Sequence, residues 1–505
     1  MATNVVSGET VVLIASLLVI IRFFITPLFF SKLSSFPGPF TAKLSQLWLV
    51  RQCRLTRRSK AVMAQHAQYG DFVRIAPNHI SINNPGAASD IYGHRSGLTK
   101  SEFYDAFHQV RPVVFNARNV SEHQRKRKYL NPAFSARALA EFEPVMDKEL
   151  QNWKTKLLSL TADDTPTLLD MSTWSNYLAF DIIGSFAFGR PFGFTDQASD
   201  PYDLIRTIDT RGEVLNALGT LPPSLRPWMK YHVLDPFWRN GLRATSNLGL
   251  IGRDAFLRRK AAQTARRDLL GYLFAAQDAA EGKGSGERIG DEEILAEAIS
   301  FIVGGSDTTS STITNCLDFI ARDGGVRRRL VGEIEGAFPG DLGGEWVPDS
   351  GTLGGMAFLN AVVREVMRVC PTSATGLERV VPKEGRVIAG RFIPGGTTVS
   401  MPTCGLLSDP RVFSEPGTFK PERWLGPDSG RLLEYFLPFS TGPRACIGRN
   451  FAWMEILKAL VVVLKYFEVE RVTQERTVIR EGFFNKAVEC RVLLTRRGRT
   501  VAAGH

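Results

Sequence analysis

One cysteine of the sequence stands among residues that suit chemistry better than packing. Cys446 lies between Gly442 and Gly448, Arg444 precedes it by two residues, and a segment with helical periodicity follows it. Glycines allow a tight turn and a close backbone approach to a large flat ligand. The amides at a helix start favour an anionic sulfur, and an arginine can bind a carboxylate. The segment could therefore hold a thiolate against the metal of a cofactor that carries carboxylates. A buried structural cysteine in a glycine turn is the alternative.

Two further stretches contain side chains that could move or pair charges. Residues 304–309 place two glycines one residue ahead of Asp307 and Thr308. Each glycine costs about 1 kcal/mol relative to alanine inside a helix, which is tolerated when something must come close to the backbone. An acid beside an alcohol suits proton delivery, although a Ser/Thr-rich helix cap or turn is the alternative. Glu365 and Arg368, at i and i+3, can pair on one helix face, where such pairs are usually solvated.

Residues 439–448 resemble, position for position, the haem-binding signature FxxGxRxCxG of the cytochromes P450. The resemblance implies that Cys446 is the proximal ligand of the iron of haem b, and that its electron density favours O–O cleavage. It further implies that Phe439 shields the sulfur and that Arg444 binds a haem propionate. Gly442 and Gly448 complete the signature.

The companion stretches match the same family in the required order. Residues 419–424 are similar to its PERF-type segment, so Glu365, Arg368 and Arg423 are expected to form a buried ionic network that supports the cysteine loop. Residues 304–309 are similar to the oxygen-activating stretch of the long central helix. The resemblance implies a gap for dioxygen beside Gly305, a hydrogen bond from Thr308 to the oxygen that is being activated, and proton relay from solvent by Asp307.

Three more residues resemble the family's propionate contacts. His123 and Arg127 lie at i and i+4 on a predicted helix, and Arg379 stands in a matching Arg-Val-Val-Pro segment. The basic run at residues 125–128 has two open interpretations, a solvated helix face or a docking surface for an acidic reductase. The sequence has no flavin- or NADPH-binding half. Electrons are therefore expected from NADPH through a separate cytochrome P450 reductase, with cytochrome b5 as a further donor.

The composition limits the other possibilities. The 505 residues carry a formal net charge of +11, which suits an anionic membrane surface, an acidic protein or nucleic acid. The basic residues are dispersed and no zinc-finger or RNA-binding signature occurs, so no nucleic-acid partner is expected. The six cysteines form no CxxC pair, which argues against a structural zinc site or a disulfide scaffold.

The elements that must position these residues are mainly helical. Residues 72–76 and 79–83 read as a hairpin, and residues 387–400 as a second strand region. Residues 120–335 have helical periodicity, interrupted by a polar loop at 282–290 before a helix from Asp291, and the last long helix is predicted at residues 449–466. We expect a mainly α fold with small β-sheets, the cytochrome P450 fold, in one catalytic domain at residues 36–505.

The first residues predict a membrane anchor. Residues 10–30 are almost continuously apolar, which is long enough to span a bilayer, and the apolar side chains outweigh the cost of Arg22. A basic segment follows, which predicts a single-pass anchor at residues 1–35 in the endoplasmic reticulum membrane with the catalytic domain in the cytosol. A buried or interfacial helix is the alternative.

The expected reaction is insertion of one oxygen atom from O₂ into a small organic substrate, in fungal secondary metabolism. The sequence resembles fungal microsomal members of the family, and among them it is most similar to the benzoate para-hydroxylase-like branch. A benzoate-type hydroxylase is therefore one alternative. A desaturase or coupling enzyme, and a non-catalytic haem sensor or carrier, are the others. The pocket is expected at residues 98–116, 297–303, 372–376 and 482–486, with Arg111 as a carboxylate ligand or a partner in a surface ion pair. Its apolar walls are expected from Phe115, Phe483 and Phe484.

Overall fold

The computed structural model describes residues 13, 16, 26–29, 31–161, 165–231, 234–262, 268–282 and 289–497. Most of the apolar run at residues 10–30, and therefore the predicted anchor, lies outside this part. Within it, none of the helices combines the length and the apolar character needed to cross a bilayer. The predicted polar loop at 282–290 also lies largely outside the described residues.

Helices make up most of the described chain, and most of them are joined by short connections. Several are preceded by a side chain that caps the first turn, as Asn119, Ser135 and Asp170 do. In chain order the α-helices are α1 (Thr26–Phe29), α2 (Phe40–Leu44), α3 (Leu47–Arg54), α4 (Arg58–Tyr69), α5 (Ala87–Tyr92), α6 (Val120–Leu130), α7 (Ala136–Leu160), α8 (Met171–Phe188), α9 (Phe194–Gln197), α10 (Leu204–Thr220), α11 (Pro236–Ala261), α12 (Leu269–Gly282), α13 (Asp291–Arg322), α14 (Gly324–Ala337), α15 (Ser350–Gly355), α16 (Ala357–Val369), α17 (Thr403–Leu407), α18 (Ser429–Glu434) and α19 (Arg449–Tyr466).

The strands form small sheets, so the predicted class, mainly α with small β-sheets, is confirmed. The strands are β1 (Phe72–Ala76), β2 (His79–Ile82), β3 (Thr99–Lys100), β4 (Thr167–Asp170), β5 (Arg379–Val380), β6 (Arg386–Ile388), β7 (Arg391–Ile393), β8 (Thr398–Ser400), β9 (Phe467–Arg471), β10 (Ile479–Glu481), β11 (Asn485–Ala487) and β12 (Arg491–Arg496). The largest sheet has the order β1-β2-β8-β5-β3, another has the order β4-β12-β9, and β6-β7 and β10-β11 are antiparallel pairs.

The long helix α13 runs through the main hydrophobic core. It packs along α8, whose side chains are buried on nearly every face, and against α19. A helix that is apolar all round belongs inside a protein. Gly305 of α13 is part of this packing, because a Cβ at that position would lie 2.6 Å from Cδ1 of Ile183 in α8. The two helices are thereby held at a fixed separation.

A buried carboxylate fixes the segment that leads to the cysteine loop. Glu365 in α16 accepts two hydrogen bonds from Arg368, at 2.8 and 3.0 Å, and one from Arg423 at 3.0 Å. The indole of Trp424 and the backbone N–H of Lys420 donate to the same carboxylate, each at 2.9 Å. Arg368 also donates to backbone carbonyls of the chain between α17 and Arg423. The carboxylate therefore ties α16 to the chain that precedes the loop.

Replacing Glu365 by alanine should destabilise the protein strongly, because two buried guanidinium groups would lose their partner. The expected loss is about 3–5 kcal/mol in the free energy of unfolding. Urea-induced unfolding followed by tryptophan fluorescence would measure it. Glu422→Ala is the matched control, since Glu422 pairs with Arg329 at 2.9 Å on the surface and should cost at most about 1 kcal/mol. Equal losses in the two variants would contradict a structural role for the buried network.

Candidate active site

The cysteine loop connects the buried network to α19. The N–H of Cys446 donates to the carbonyl of Phe439 at 2.9 Å, which closes the loop on itself. Gly442 has φ 71°, and a Cβ there would collide with the carbonyl oxygen of Tyr92. Only glycine fits this turn. Gly448 differs, because among the described residues only Phe134 comes within 4 Å of a Cβ built on it, so the space beside Gly448 is open.

The sulfur of Cys446 faces a large cavity. The side chain is accessible although protein surrounds the loop, because it lines the cavity wall together with Phe439 and Gly448. Burial raises the pKa of the Cys446 thiol, whereas the N–H of Gly448 and the charges of Arg127 and Arg449 act in the opposite direction. The amide of Gly448 thus favours the anionic sulfur, as the sequence predicted, but desolvation is the larger effect. A metal cation at the sulfur would supply the missing stabilisation.

Helix α13 lines the cavity as well. Gly304 is exposed toward it, and a Cβ on Gly304 would have nothing within 4 Å. The open space predicted beside Gly305 thus lies at Gly304, because Gly305 is used in packing against α8. The hydroxyl of Thr308 donates to the carbonyl of Gly304 at 2.9 Å and lines the same wall. This places an alcohol next to open space at the helix backbone.

Asp307 is paired with a cation that the sequence did not suggest. Its carboxylate lies 2.8 Å from Nζ of Lys486 in β11, and the same Nζ lies 2.8 Å from Asp209 in α10. Burial raises the pKa of Asp307 to about 6, Lys486 lowers it and Asp209 raises it. The carboxyl can therefore exchange a proton near neutral pH. Asp209 is the more exposed end of this chain of charges.

A group of basic side chains lines the cavity without carboxylate partners. Arg444 donates to the carbonyl of Ala117 at 2.6 Å, and Arg379 donates to the Tyr104 hydroxyl at 3.2 Å. Burial, followed by Arg379, lowers the pKa of Arg444 to about 10. Burial lowers the pKa of His123 to about 3, and the neighbouring cations contribute to the shift. We call the cations of this group the cationic cluster; its members are Lys100, Arg127, Arg379 and Arg444, and His123 lies among them as a neutral imidazole.

Comparison with known proteins identifies the family. The sequence model of the family described as cytochrome P450 matches residues 37–493. Benzoate 4-monooxygenase bphA of Aspergillus niger is 35% identical over 497 residues, covering 92% of this chain and 93% of that protein. Cytochrome P450 monooxygenase astJ of Aspergillus oryzae is 31% identical, with 88% of this chain and 87% of that protein covered. Cytochrome P450 monooxygenase BOT4 of Botryotinia fuckeliana is 30% identical, with coverages of 90% and 84%. This chain belongs to the cytochrome P450 family.

The cavity suits the haem that this P450 family uses. No member of the cationic cluster forms an ion pair with a carboxylate anywhere in the described ranges, and burial lowers the pKa of Lys100, Arg127 and Arg444. Charges of one sign that repel one another in a desolvated site require a counter-ion. The two propionates of haem have the right charge, and the sulfur of Cys446 lines the same cavity. The donor set therefore fits the cofactor.

The basic run at residues 125–128 of this P450 is mostly directed inward. Arg125 lies 2.9 Å from Glu122 and 2.5 Å from Glu293, and Lys126 is buried against Glu293. Arg127 lines the cavity and donates to the carbonyl of Ala445 at 3.3 Å, so Lys128 is the exposed member. The run is therefore not a uniformly solvated face, since Lys126 is buried against Glu293 of α13 and Arg127 lines the cavity. A docking surface for a reductase stays a prediction, with Lys128 as its exposed residue.

The substrate side of the P450 cavity has the aromatic walls that the sequence predicted. The rings of Phe107 and Phe483 are 4.8 Å apart, and Phe115 and Phe484 pack around Phe483. Arg111, the predicted carboxylate ligand, instead pairs with Glu292 at 2.9 Å, and its side chain is 59% exposed. The surface ion pair is thus the correct one of the two expectations. The ion pair takes up the charge of Arg111 at the solvent-exposed rim.

Helix α10 contributes cavity residues that sequence reasoning missed. Asp209 and Arg211 line the cavity from this helix, and Lys486 reaches it from β11. No spacing or motif marks these residues, because they meet only when α10 packs beside the β10-β11 hairpin. Residues 482–486 were predicted to line the pocket, but the pairing of Lys486 with Asp307 was not.

Replacing both Arg379 and Arg444 by methionine should weaken haem retention. Each charge-assisted hydrogen bond is worth about 1.5–3 kcal/mol, so haem loss should accelerate at least roughly ten-fold. The rate of haem transfer to an excess of apo-globin, followed by absorbance, measures this. Arg118→Met is the control, because Arg118 pairs with Asp105 at 2.7 Å and does not line the cavity. Unchanged transfer in the double variant would show that the cluster does not bind the cofactor.

Proposed function

We propose that this P450 inserts one oxygen atom of O₂ into a small organic substrate, by hydroxylation or epoxidation. The observation that carries the proposal is the sulfur of Cys446 in a cavity that also contains an uncompensated cationic cluster. Haem bound there supplies an iron centre that activates dioxygen. Cys446 would be the iron ligand, with Phe439, Gly442 and Gly448 shaping the loop. Arg379, Arg444, His123 and Arg127 would hold the propionates.

Proton delivery is assigned to Thr308 and Asp307. Splitting dioxygen during monooxygenation consumes two protons, and a positioned acid and alcohol can provide a path for them. The Thr308 hydroxyl stands at the open face of α13, while Asp307 is linked through Lys486 toward the more exposed Asp209. The raised pKa of Asp307, about 6, allows it to take up and release a proton. These features support insertion of oxygen over a passive haem carrier.

We propose that NADPH supplies the electrons through a separate cytochrome P450 reductase, with cytochrome b5 as a further donor. We place the protein in the endoplasmic reticulum membrane through one N-terminal span, with the catalytic domain in the cytosol. Support comes from the apolar run at residues 10–30 and the basic residues that follow it. A role in fungal secondary metabolism is part of the proposal, and its support is the similarity to fungal cytochrome P450 monooxygenases.

A second candidate is hydroxylation of a benzoate-type aromatic acid. The observation that favours it is the 35% identity to a benzoate 4-monooxygenase along nearly the full length of both proteins. The aromatic walls around Phe483 suit a flat apolar body. Turnover with isotopically labelled dioxygen tests both candidates against a desaturase or coupling enzyme. Insertion predicts one labelled oxygen atom in the product, and a product without the label would refute it.

Thr308→Ala should uncouple electron use from product formation. Without the hydroxyl, proton delivery becomes less ordered, so product formed per NADPH consumed should fall roughly ten-fold or more. The matched control is Thr314→Ala, because Thr314 makes the same bond to the carbonyl one turn earlier, at 2.7 Å, but does not line the cavity. NADPH consumption and product yield would be measured together. Equal coupling in both variants would contradict the role of Thr308.

A further inference from the structure

Arg211 in α10 is a buried cation with no ion-pair partner in the part of the chain that the structure describes. Its side chain lines the cavity, the residue is only 7% exposed, and its Nε forms no hydrogen bond. Among the described residues no carboxylate lies within ion-pair distance of its guanidinium. An isolated charge in such a place is costly unless something compensates it. The protein itself provides no such compensation.

The acidic residues nearest in sequence to Arg211 are already engaged. Asp209 is held by Lys486 at 2.8 Å, and Glu213 accepts a hydrogen bond from Arg480 at 3.1 Å. Both cations come from the β10-β11 hairpin, which is also joined to α10 by a backbone hydrogen bond from Phe483 to Gly212 at 3.2 Å. The hairpin therefore occupies the carboxylates on either side of Arg211 and leaves its guanidinium for a ligand in the cavity.

Arg211 does not belong to the cationic cluster that faces the propionates. The charges of that cluster act on one another: Arg379 and Arg444 lower the pKa of Lys100, and Arg379 lowers the pKa of Arg444. The pKa of Arg211 is lowered to about 10 by burial alone, with no contribution from another charge. Arg211 therefore lies apart from the charges of the cluster. The next residue, Gly212, accepts the backbone hydrogen bond of Phe483 at 3.2 Å, so Arg211 enters the cavity from the part of α10 that contacts the aromatic walls.

We propose that Arg211 binds the carboxylate of an acidic substrate whose apolar body packs against the aromatic walls. The inference rests on the proposed function and names the substrate class for the same cavity. A guanidinium can hold a carboxylate with two parallel hydrogen bonds. One unpaired cation matches a single negative charge, while the rings of Phe107, Phe115, Phe483 and Phe484 match a body of apolar carbon.

The test is an optical titration of the purified haem-loaded full chain with benzoate, cinnamate and decanoate, each beside its methyl ester. Substrate entry is detected as a shift of the Soret band. At least one acid should bind wild-type protein about ten-fold or more tightly than its ester. In Arg211→Gln that acid should bind about ten-fold or more weakly, while the ester is little changed. Arg211→Lys should keep part of the preference, and Arg111→Gln, the matched control, should keep all of it.

The outcomes separate this inference from the proposed function. The role of Arg211 would be overturned if wild-type protein preferred the ester to the acid in every pair, or if the acid preference persisted in Arg211→Gln. In either case a thiolate-haem spectrum would leave the monooxygenase proposal intact. Loss of that spectrum in wild-type protein would instead overturn the proposed function.

Thermal unfolding provides a second readout, because a structural arginine and a ligand-binding arginine predict opposite results. Removing an unpaired buried charge relieves its desolvation, so ligand-free Arg211→Met should melt at the same temperature as wild type or higher. A clear fall in its melting temperature would indicate a structural role and contradict the proposal.

Discussion

The rest of the structure depends on one electrostatic constraint. Several positive charges line one cavity, and the described part of the protein does not neutralise them with carboxylates. Arg379 and Arg444 point toward the same space and donate to neutral oxygens instead of to carboxylates. Buried charges of one sign raise the free energy of the folded chain. The surrounding frame must therefore supply enough stability to hold them until an anionic cofactor binds. That requirement explains why the cavity is set in a large, closely packed helical core.

The frame holds the cysteine loop and α13 on the same cavity. On one side, the carboxylate of Glu365 collects five hydrogen bonds and anchors the chain before Cys446. On the other, Gly305 lets α13 approach α8 closely, which leaves Gly304 and Thr308 facing open space. Both sides of the cavity are therefore fixed by buried contacts. Preorganisation of this kind is what a reaction at a bound metal requires.

The sequence predicted the parts of the structure that depend on local chemistry. Strand β1 and helix α19 have the predicted bounds, and the cysteine loop was recognisable because glycine, arginine and cysteine stand at fixed spacing. Strand β4 was missed, because its pairing with β12 joins segments far apart in the chain. The pairing of Lys486 with Asp307 and the position of Arg211 in the cavity were missed for the same reason. Their roles arise where α10 meets the β10-β11 hairpin, and no local pattern encodes that contact.

In two places a contact with a distant segment determines how a basic residue is used. The run at residues 125–128 is basic in sequence, yet Lys126 is buried against Glu293 of α13. Arg111 was a candidate ligand, but Glu292 is close enough to neutralise it at the surface. In both cases a carboxylate from the start of α13 decides the outcome. Charge patterns therefore locate a cavity less reliably than turn glycines do, since any charged residue can be paired from a distant segment.

The most direct test of the central claim is the absorbance spectrum of the reduced, carbon monoxide-bound protein. If Cys446 ligates the haem iron, wild-type protein should give the spectrum of thiolate-ligated haem and Cys446→Ser should lose it. Cys404→Ser should keep it, because Cys404 does not line the cavity. A thiolate spectrum that survives in Cys446→Ser, or that is missing from folded wild-type protein containing haem, would contradict the assignment of the active site.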